Sequence, residues 1–303
     1  MISVITVVRN AEATIERTLK SVFAQKQVSF ELVVWDGMSN DNTLNILENY
    51  KSQITLVSDR DSGVYDAMNR ALKLSRGKWV IFLNADDYFF SEYSLYSLWK
   101  KAEESACDYV CGSAKMLFGL KKWSPKTLTD VDFFLGNPSN HQSYLCKKQV
   151  YDQLGDFNLD FRYASDVDFM FRAIKSNVIG CSVPETIAVY SLGGLSTKNI
   201  SEGVAELDRI RAKFLKVDLK LATQMRLVFN EGFPFTQEFK SKVLTLPWSL
   251  TQKEFLEKFF SKNKAIEEMD VFAILNKKLI LFLKIYLRKF LFFIISKIPS
   301  RYI

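Results

Sequence analysis

The run Trp79-Val-Ile-Phe-Leu-Asn84-Ala-Asp86-Asp87 is apolar until it stops on two adjacent carboxylates. A stretch such as Val80 to Leu83 suits a strand buried in a parallel sheet. Acids at its C-terminal end then lie where open α/β sheets keep their ligand crevice. Asp and Asn are poor strand residues, so their presence there gains nothing for the strand itself. Two acidic oxygens on a rigid strand end suit Mn²⁺ or Mg²⁺, which favour oxygen ligands and often share them with a substrate phosphate. Taken alone, the pair reads equally well as an acidic turn. A second acidic group, Ala164-Ser165-Asp166-Val-Asp168, leads into a helical pattern, where the macrodipole keeps a first-turn carboxylate ionised.

The elements that must hold these groups alternate. Ile2 to Val8 reads as a strand, Ala13 to Gln25 as a helix with Ile15, Leu19, Val22 and Phe23 on one face, and Phe30 to Trp35 as a second strand. A helix over Leu44–Tyr50, a strand over Ile54–Val57 and a helix over Val64–Leu74 precede the Trp79 strand. This alternation with short loops implies an α/β fold, a mostly parallel, Rossmann-like sheet with helices on both faces. The strands end in Asn10, Asp36, Asp59 with Asp61, and Asn84 with Asp86, so polar groups converge on one edge of the sheet.

Five pieces in order resemble the family 2 glycosyltransferases, whose fold is GT-A. They are Thr6-Val-Val-Arg-Asn10, Val33-Val-Trp-Asp36-Gly37-Met-Ser39-Asn-Asp41-Asn-Thr43, Asp61-Ser-Gly63-Val-Tyr65-Asp66-Ala-Met-Asn69, Phe82-Leu-Asn84-Ala-Asp86-Asp87, and Ala164-Ser165-Asp166-Val-Asp168. The resemblance covers roughly residues 1–200, with a helical C-terminal region over 201–303. It implies that Thr6 and Asn10 line a nucleotide pocket and that Asp36 accepts hydrogen bonds from base or ribose. Asn84-Ala85-Asp86 takes the place of the family's DXD motif: Asn84 would face the ribose, Asp86 would bind the metal, and Asp87 would support or join it. Asp66 and Asn69 are expected at the donor site, whereas Tyr65 reads as packing or contact alike. Asp41 and Ser39 read first as caps of the following helix. Asn84 replaces an acid that often opens the motif, and Met68 stands where relatives often carry Arg.

His141-Gln142 resembles an element near the family's acceptor site, although a lone histidine is as a rule structural. Asp166 matches the second residue of a Glu-Asp motif and is the expected general base, with Asp168 its competitor. Arg172, one turn on, would steady Asp166 or neutralise phosphate, unless it forms only a surface ion pair. These roles imply a single inverting displacement, without the protonated carboxylic acid that glycoside hydrolysis needs. A sugar nucleotidyltransferase would want a glycine-rich basic loop after the first strand, and Arg9-Asn10-Ala11-Glu12 is not one. A non-catalytic nucleotide-sugar-binding or scaffold protein is the other alternative.

Among 303 residues, 48% hydrophobic content and 25% charged content describe a globular protein, and net charge is +7. The four cysteines match no zinc spacing and read as free thiols. The N-terminus lacks the basic start of a signal peptide. Residues 201–275 read as helices broken near Gly232-Phe-Pro234 and Pro247, and Tyr190 to Ser196 as a loop. From Val271 onward there are no acids, and about 276–298 forms a basic amphipathic pattern with Lys277, Lys284 and Arg288 on one side. Such a helix suits the interface of an anionic membrane rather than nucleic acid, since its aromatic residues adjoin Leu and Ile. The expected setting is thus the cytoplasmic face of the plasma (inner) membrane. There a nucleotide-sugar donor, UDP-linked, would meet a lipid-diphosphate-linked saccharide acceptor of the kind used to build bacterial surface polysaccharide.

Overall fold

The computed structural model describes residues 1–116, 122–123, 126–136, 139–191, 194 and 199–265. The chain divides into two compact units, Met1–Leu128 with Ser139–Gly203, and Thr129–Pro138 with Val204–Ile303. The basic stretch 276–298 lies outside the described residues, as does most of the loop from Tyr190 to Ser196. Among the described residues no helix is long and apolar enough to cross a membrane.

The first unit is built on a mixed sheet. Strand β1 (Ile2–Val8) pairs in parallel with β2 (Phe30–Asp36) on one side and β4 (Trp79–Phe82) on the other, and β3 (Thr55–Ser58) continues the parallel set beyond β2. The chain also forms β5 (Tyr88–Phe89), β6 (Tyr109–Met116), β7 (Lys122–Trp123), β8 (Tyr144–Lys147) and β9 (Gly180–Tyr190). The strand order is β3-β2-β1-β4-β8-β6-β9-β5, with β7 on β6; β8 runs antiparallel to both β4 and β6. The order reverses at β1, so the crevice at the carboxyl ends of β1 and β4 is the switch point where such sheets bind ligands.

Burial on both faces explains why β1 and β4 are almost wholly apolar. Ile2, Val4 and Val8 pack with α1 (Ile15–Phe23) and α4 (Ser94–Glu104) through Leu19, Val22, Leu95 and Leu98. The alternate residues Ile5 and Val7 pack on the opposite face, with Met68 and Ala71 of α3 (Val64–Leu74) and Phe169 and Met170 of α7 (Ser165–Lys175). Each such aliphatic side chain contributes roughly 1.5–3 kcal/mol. The helix α2 (Thr43–Glu48) follows β2, and α6 (Lys148–Leu154) follows β8.

Entry into β4 is fixed by Glu31. Its Oε1 accepts from Ser3 Oγ at 2.6 Å and Gly77 N at 3.1 Å, and its Oε2 from Arg76 Nε at 2.9 Å. Gly77 lies so close to β1 that a Cβ there would stand 2.5 Å from Ser3 N and 2.9 Å from Ile2 C. Main-chain atoms cannot swing aside as a flexible side chain can.

The second unit contains the short helix α5 (Asp132–Leu135), helix Ile200–Leu215 from Val204 onward, and helices Leu219–Phe229, Gln237–Leu244 and Leu250–Lys262. The last three begin on side-chain caps from Asp218, Thr236 and Ser249, the last a full capping box with Gln252. Helix breaks therefore fall where Gly232-Phe-Pro234 and Pro247 place them. The ring of Phe134 meets those of Phe229, Trp248 and Phe255 at centroid distances of 5.5, 5.1 and 5.6 Å. Asp208 is buried between two cations, accepting from Arg211 Nη1 at 2.7 Å and Arg226 Nε at 2.9 Å, while Arg211 Nε donates to Phe133 O at 3.2 Å. Burial pulls the Arg211 pKa down, and Asp208 opposes that pull.

Two stability outcomes follow from these contacts. Gly77→Ala should lower unfolding free energy by about 2 kcal/mol or more in a denaturant titration, since overpacking here can be relieved only by moving β1. Asp208→Ala should cost about 3–5 kcal/mol by stranding the buried Arg211 guanidinium and removing the carboxylate partner of half-buried Arg226.

Candidate active site

The turn after β4 is held from three sides. Leu83 N donates to Ile5 O at 2.9 Å, extending the ladder with β1, and Asp87 N closes the turn on Asn84 O at 3.0 Å. From α1, Arg17 Nη2 donates to Asp86 O at 2.9 Å, and Thr18 Oγ1 lies 3.0 Å from Ala85 O and 2.7 Å from Asp87 O. After β9, Ser191 Oγ also donates to Asp86 O, and Ser191 N donates to Asp87 Oδ1 at 2.8 Å. The 84–87 backbone is thus fixed before any ligand arrives.

The two adjacent acids have different surroundings. Asp87 is buried, and its second oxygen accepts from Gln142 Nε2 at 2.5 Å. Burial pushes its pKa well up, and the charge on Asp86 pushes it further, against the Gln142 and Ser191 donors. Both Asp87 oxygens are engaged by protein, so this carboxylate ties β9 and the 141–143 turn to the end of β4. Gln142 is likewise turned toward Asp87, and its Oε1 is buried without a hydrogen-bond partner. Asp86 is partly exposed, and a Cβ at Gly194 would stand 3.9 Å from its Oδ2. A carboxylate beside a second acid, with glycine on one flank, is a hard-oxygen donor suited to Mn²⁺ or Mg²⁺. Among the described residues no three His, Cys, Asp or Glu side chains gather as a metal cluster. The residues fit an ion that takes one or two protein carboxylates and completes its shell with phosphate and water.

Asp166 occupies the first turn of α7, positioned by Ser165 Oγ donating to Asn158 O at 2.8 Å. Its Oδ1 accepts from Tyr65 Oη at 2.8 Å and Val167 N at 3.0 Å. Its Oδ2 lies 2.9 Å from His141 Nδ1, and His141 Nε2 lies 3.1 Å from Asn84 Nδ2. Burial raises the Asp166 pKa, but the hydrogen bonds and charge of His141 and the hydroxyl of Tyr65 outweigh it, leaving the carboxyl below its usual value. Asp166 is therefore a fixed, ionised carboxylate connected through one imidazole to the β4 turn. The oxygen Oδ2 keeps a lone pair for an incoming hydroxyl proton.

Several expected site residues have other partners. Asn69 is buried, and its amide clamps residue 157, accepting from Phe157 N and donating to Phe157 O at 2.9 Å each. Arg172 does not reach Asp166: its Nε donates to buried Asp168 Oδ2 at 2.9 Å, and its Nη atoms donate to carbonyls of Leu154, Gly155 and Asp156. It closes the end of α6, so neither the steadying of Asp166 nor a loose surface pair describes it. Asp66 secures the start of its own helix, accepting from Ser62 N at 2.9 Å and Arg70 Nε at 3.1 Å. Asp36 is buried and accepts from Ser39 N, Ser39 Oγ and, at 2.6 Å, Ser58 Oγ. Thr6 is buried with its hydroxyl unpartnered. Asn10, at φ 53°, joins the β1 exit to the next loop, its Oδ1 accepting from Asn40 N at 2.9 Å. Asp41 accepts from Thr43 N, at the start of α2, at 2.9 Å, as a cap would, and from Glu12 N at 3.2 Å, so it also ties that helix start to the loop after β1.

Tyr65 and Ser191 are the residues sequence reading underrated. Tyr65 shares a helical segment with Asp66 and Asn69, but only the packing of α3 against α7 reveals which of the three faces Asp166. Ser191 follows a strand with no motif around it.

The description "Glycosyl transferase family 2" belongs to a family model that matches residues 3–164. A PGL/p-HBAD biosynthesis glycosyltransferase of Mycobacterium bovis is 30% identical over 244 residues, covering 77% of this chain and 91% of that protein. The Escherichia coli UDP-Glc:alpha-D-GlcNAc-diphosphoundecaprenol beta-1,3-glucosyltransferase WfaP is 24% identical over 175 residues, covering 56% of this chain and 67% of the relative. Among solved structures, S. aureus TarS in complex with UDP-GlcNAc superposes with a TM-score of 0.58 at 19% identity, covering 86% of this chain and 80% of that one. The Pyrobaculum calidifontis mannosyltransferase PcManGT, in complex with GDP-Man and Mn²⁺, gives 0.53 at 16% identity, covering 86% of each chain. The family model spans more than half the sequence and a relative agrees over most of its length, so this chain belongs to the family 2 glycosyltransferases.

Proposed function

We propose that this enzyme moves a sugar from a UDP-linked donor to a hydroxyl of a lipid-diphosphate-linked glycan. Transfer would proceed in one displacement that inverts the anomeric carbon. The observation that carries the reading is the placement of an ionised Asp166, held by Tyr65 and His141, within one imidazole of the Asn84-Ala-Asp86 turn. UDP-GlcNAc in the TarS complex and the diphosphoundecaprenol acceptor in the name of WfaP support the donor and acceptor classes.

In this reading the donor diphosphate lies at the carboxyl end of β4. Asn84 Oδ1, buried and without a partner, would accept from a ribose hydroxyl. Asp86 would hold Mn²⁺ or Mg²⁺, and the bound ion would supply positive charge to the departing diphosphate. The acceptor hydroxyl donates to Asp166 Oδ2 and its oxygen forms the new bond to the anomeric carbon. As the old bond to the diphosphate oxygen breaks, the proton passes to Asp166. Tyr65 and Val167 N hold Oδ1, so the carboxylate cannot rotate while Oδ2 reacts. The leaving nucleotide needs no proton from a second acid. Work at the cytoplasmic face of a membrane matches a lipid-linked acceptor and the basic C-terminal stretch.

Nucleotide release should appear with one donor from a panel of UDP-, GDP- and dTDP-sugars, given lipid-linked oligosaccharides as acceptor and Mn²⁺ as metal. EDTA should abolish it, and Asp86→Ala and Asp166→Ala should each lower kcat by at least about 10²-fold. Turnover that survives in Asp166→Ala would remove that residue as base. No turnover and no donor binding would favour a scaffold.

The direction of the Asp166 shift also sets a pH outcome. A carboxyl held below its ordinary value stays ionised to lower pH than a free aspartate, so the acid limb of kcat/KM should lie below the ordinary aspartate range. Tyr65→Phe removes one donor from the charged form and should move that limb upward, as read from a pH-rate profile.

A further inference from the structure

Asp166 stands in the first turn of α7, and the start of that helix is set from outside it. Ala164, at the N-cap, has no side-chain oxygen with which to cap the first amides of the helix. Ser165 is fully buried and donates from Oγ back to Asn158 O at 2.8 Å, so the helix start hangs on residue 158. The residue before it is held from α3. The buried Asn69 amide accepts from Phe157 N and donates to Phe157 O, both at 2.9 Å. These main-chain partners fix the orientation of the amide, because a peptide N–H only donates and a carbonyl only accepts. The Phe157 ring is enclosed as well, with centroid distances of 5.2 Å to Phe82 at the end of β4, 5.5 Å to Tyr65 and 5.6 Å to Phe169 of α7. Residue 157 thus touches the strand that leads to Asn84 and Asp86, the helix that binds Asp166 Oδ1, and the helix that carries Asp166.

We infer that Asn69 is a positioning residue for the base: through Phe157, Asn158 and Ser165 it sets where α7 begins, and so where Asp166 stands relative to the β4 turn. This rests on the reading of Asp166 as base. Asn69 follows Tyr65 by one turn on the same helix, so α3 reaches Asp166 twice. The Tyr65 hydroxyl does so directly at 2.8 Å, and the Asn69 amide does so through the loop. Direct contact with a donor is the other use of an Asn here, but both polar atoms of this one face main chain and the residue is 6% exposed. Arg172 separately holds the carbonyls of Leu154, Gly155 and Asp156, so loss of the Asn69 clamp should shift the loop locally rather than release it.

The test is a double-mutant cycle in the full-length chain, using the sugar nucleotide turned over in the donor panel and lipid-linked oligosaccharides as acceptor. Asn69→Ala should lower kcat by about 10- to 10²-fold, the scale of moving a catalytic group by about 1 Å. The KM for the donor should change less than about threefold, because no donor contact is lost. In an Asp166→Ala background the same substitution should change the residual kcat by less than about twofold, since the group it positions is gone. Ser165→Ala cuts the relay at its other end and removes only one hydroxyl, so it carries the test if Asn69→Ala does not fold. It should lower kcat by about threefold or more, again only while Asp166 is present. Equal fractional losses in both backgrounds would make Asn69 and Ser165 general supports of the fold and overturn the inference. A loss confined to the donor KM would also overturn it and return Asn69 to the donor site. Full turnover in Asp166→Ala alone removes the base, and this inference with it. Turnover lost in Asp166→Ala but kept in Asn69→Ala and Ser165→Ala removes the relay and leaves the base reading standing.

Discussion

A carboxyl group taken out of water must be given hydrogen-bond partners, and in this protein the partners come from distant parts of the chain. Asp87 recruits Gln142 and the main chain at Ser191; Asp36 recruits Ser39 and Ser58; Asp166 recruits Tyr65 and His141; Asp168 recruits Arg172. Each acid consequently fixes the spacing between two or three segments. The sheet supplies the strand ends, but the demand for donors supplies the register between loops that no ladder connects. Removing one acid therefore frees several segments at once, and removing one donor leaves a charge unpaired.

The same demand divides labour between neighbouring acids. Asp86 and Asp87 differ by one residue, yet the first faces outward and the second inward. Their proximity raises the cost of ionising the buried member, which two protein donors oppose without cancelling. Asp166 shows the opposite balance, since three donors outweigh its burial and keep it charged. Chemistry at the site thus depends less on which residues are acidic than on how many donors each acid has been given.

Local signals made much of the fold legible. Apolar runs of strand length, helical periodicity from Val64 to Leu74, and Gly-Pro breaks in the C-terminal half lie close to the observed elements. The antiparallel insertion of β8 between β4 and β6 was not readable, because strand order in the second half depends on pairings far apart in sequence. At the site, the spacing of Asn84, Asp86 and Asp166 marked the strand end and the helix start. Side-chain direction was the missing information. Tyr65 and Asn69 are four residues apart on one helix, yet the first meets Asp166 while the second clamps Phe157, 88 residues on. Arg172 follows Asp168 by one helical turn and pairs with it, a local partner that competed with the more distant Asp166. Both outcomes depend on how α3, α6 and α7 pack, which no single motif encodes.

The segment Thr129–Pro138 is drawn from the middle of the sequence yet belongs with the C-terminal helices. Phe133 and Phe134 contact Arg211, Phe214, Phe229, Trp248 and Phe255. During synthesis this segment leaves the ribosome long before any of those partners. The order of synthesis therefore separates these two aromatic side chains from the partners that cover them. A chain ending near residue 203 would contain every strand of the sheet, yet its Phe133 and Phe134 would lack those partners.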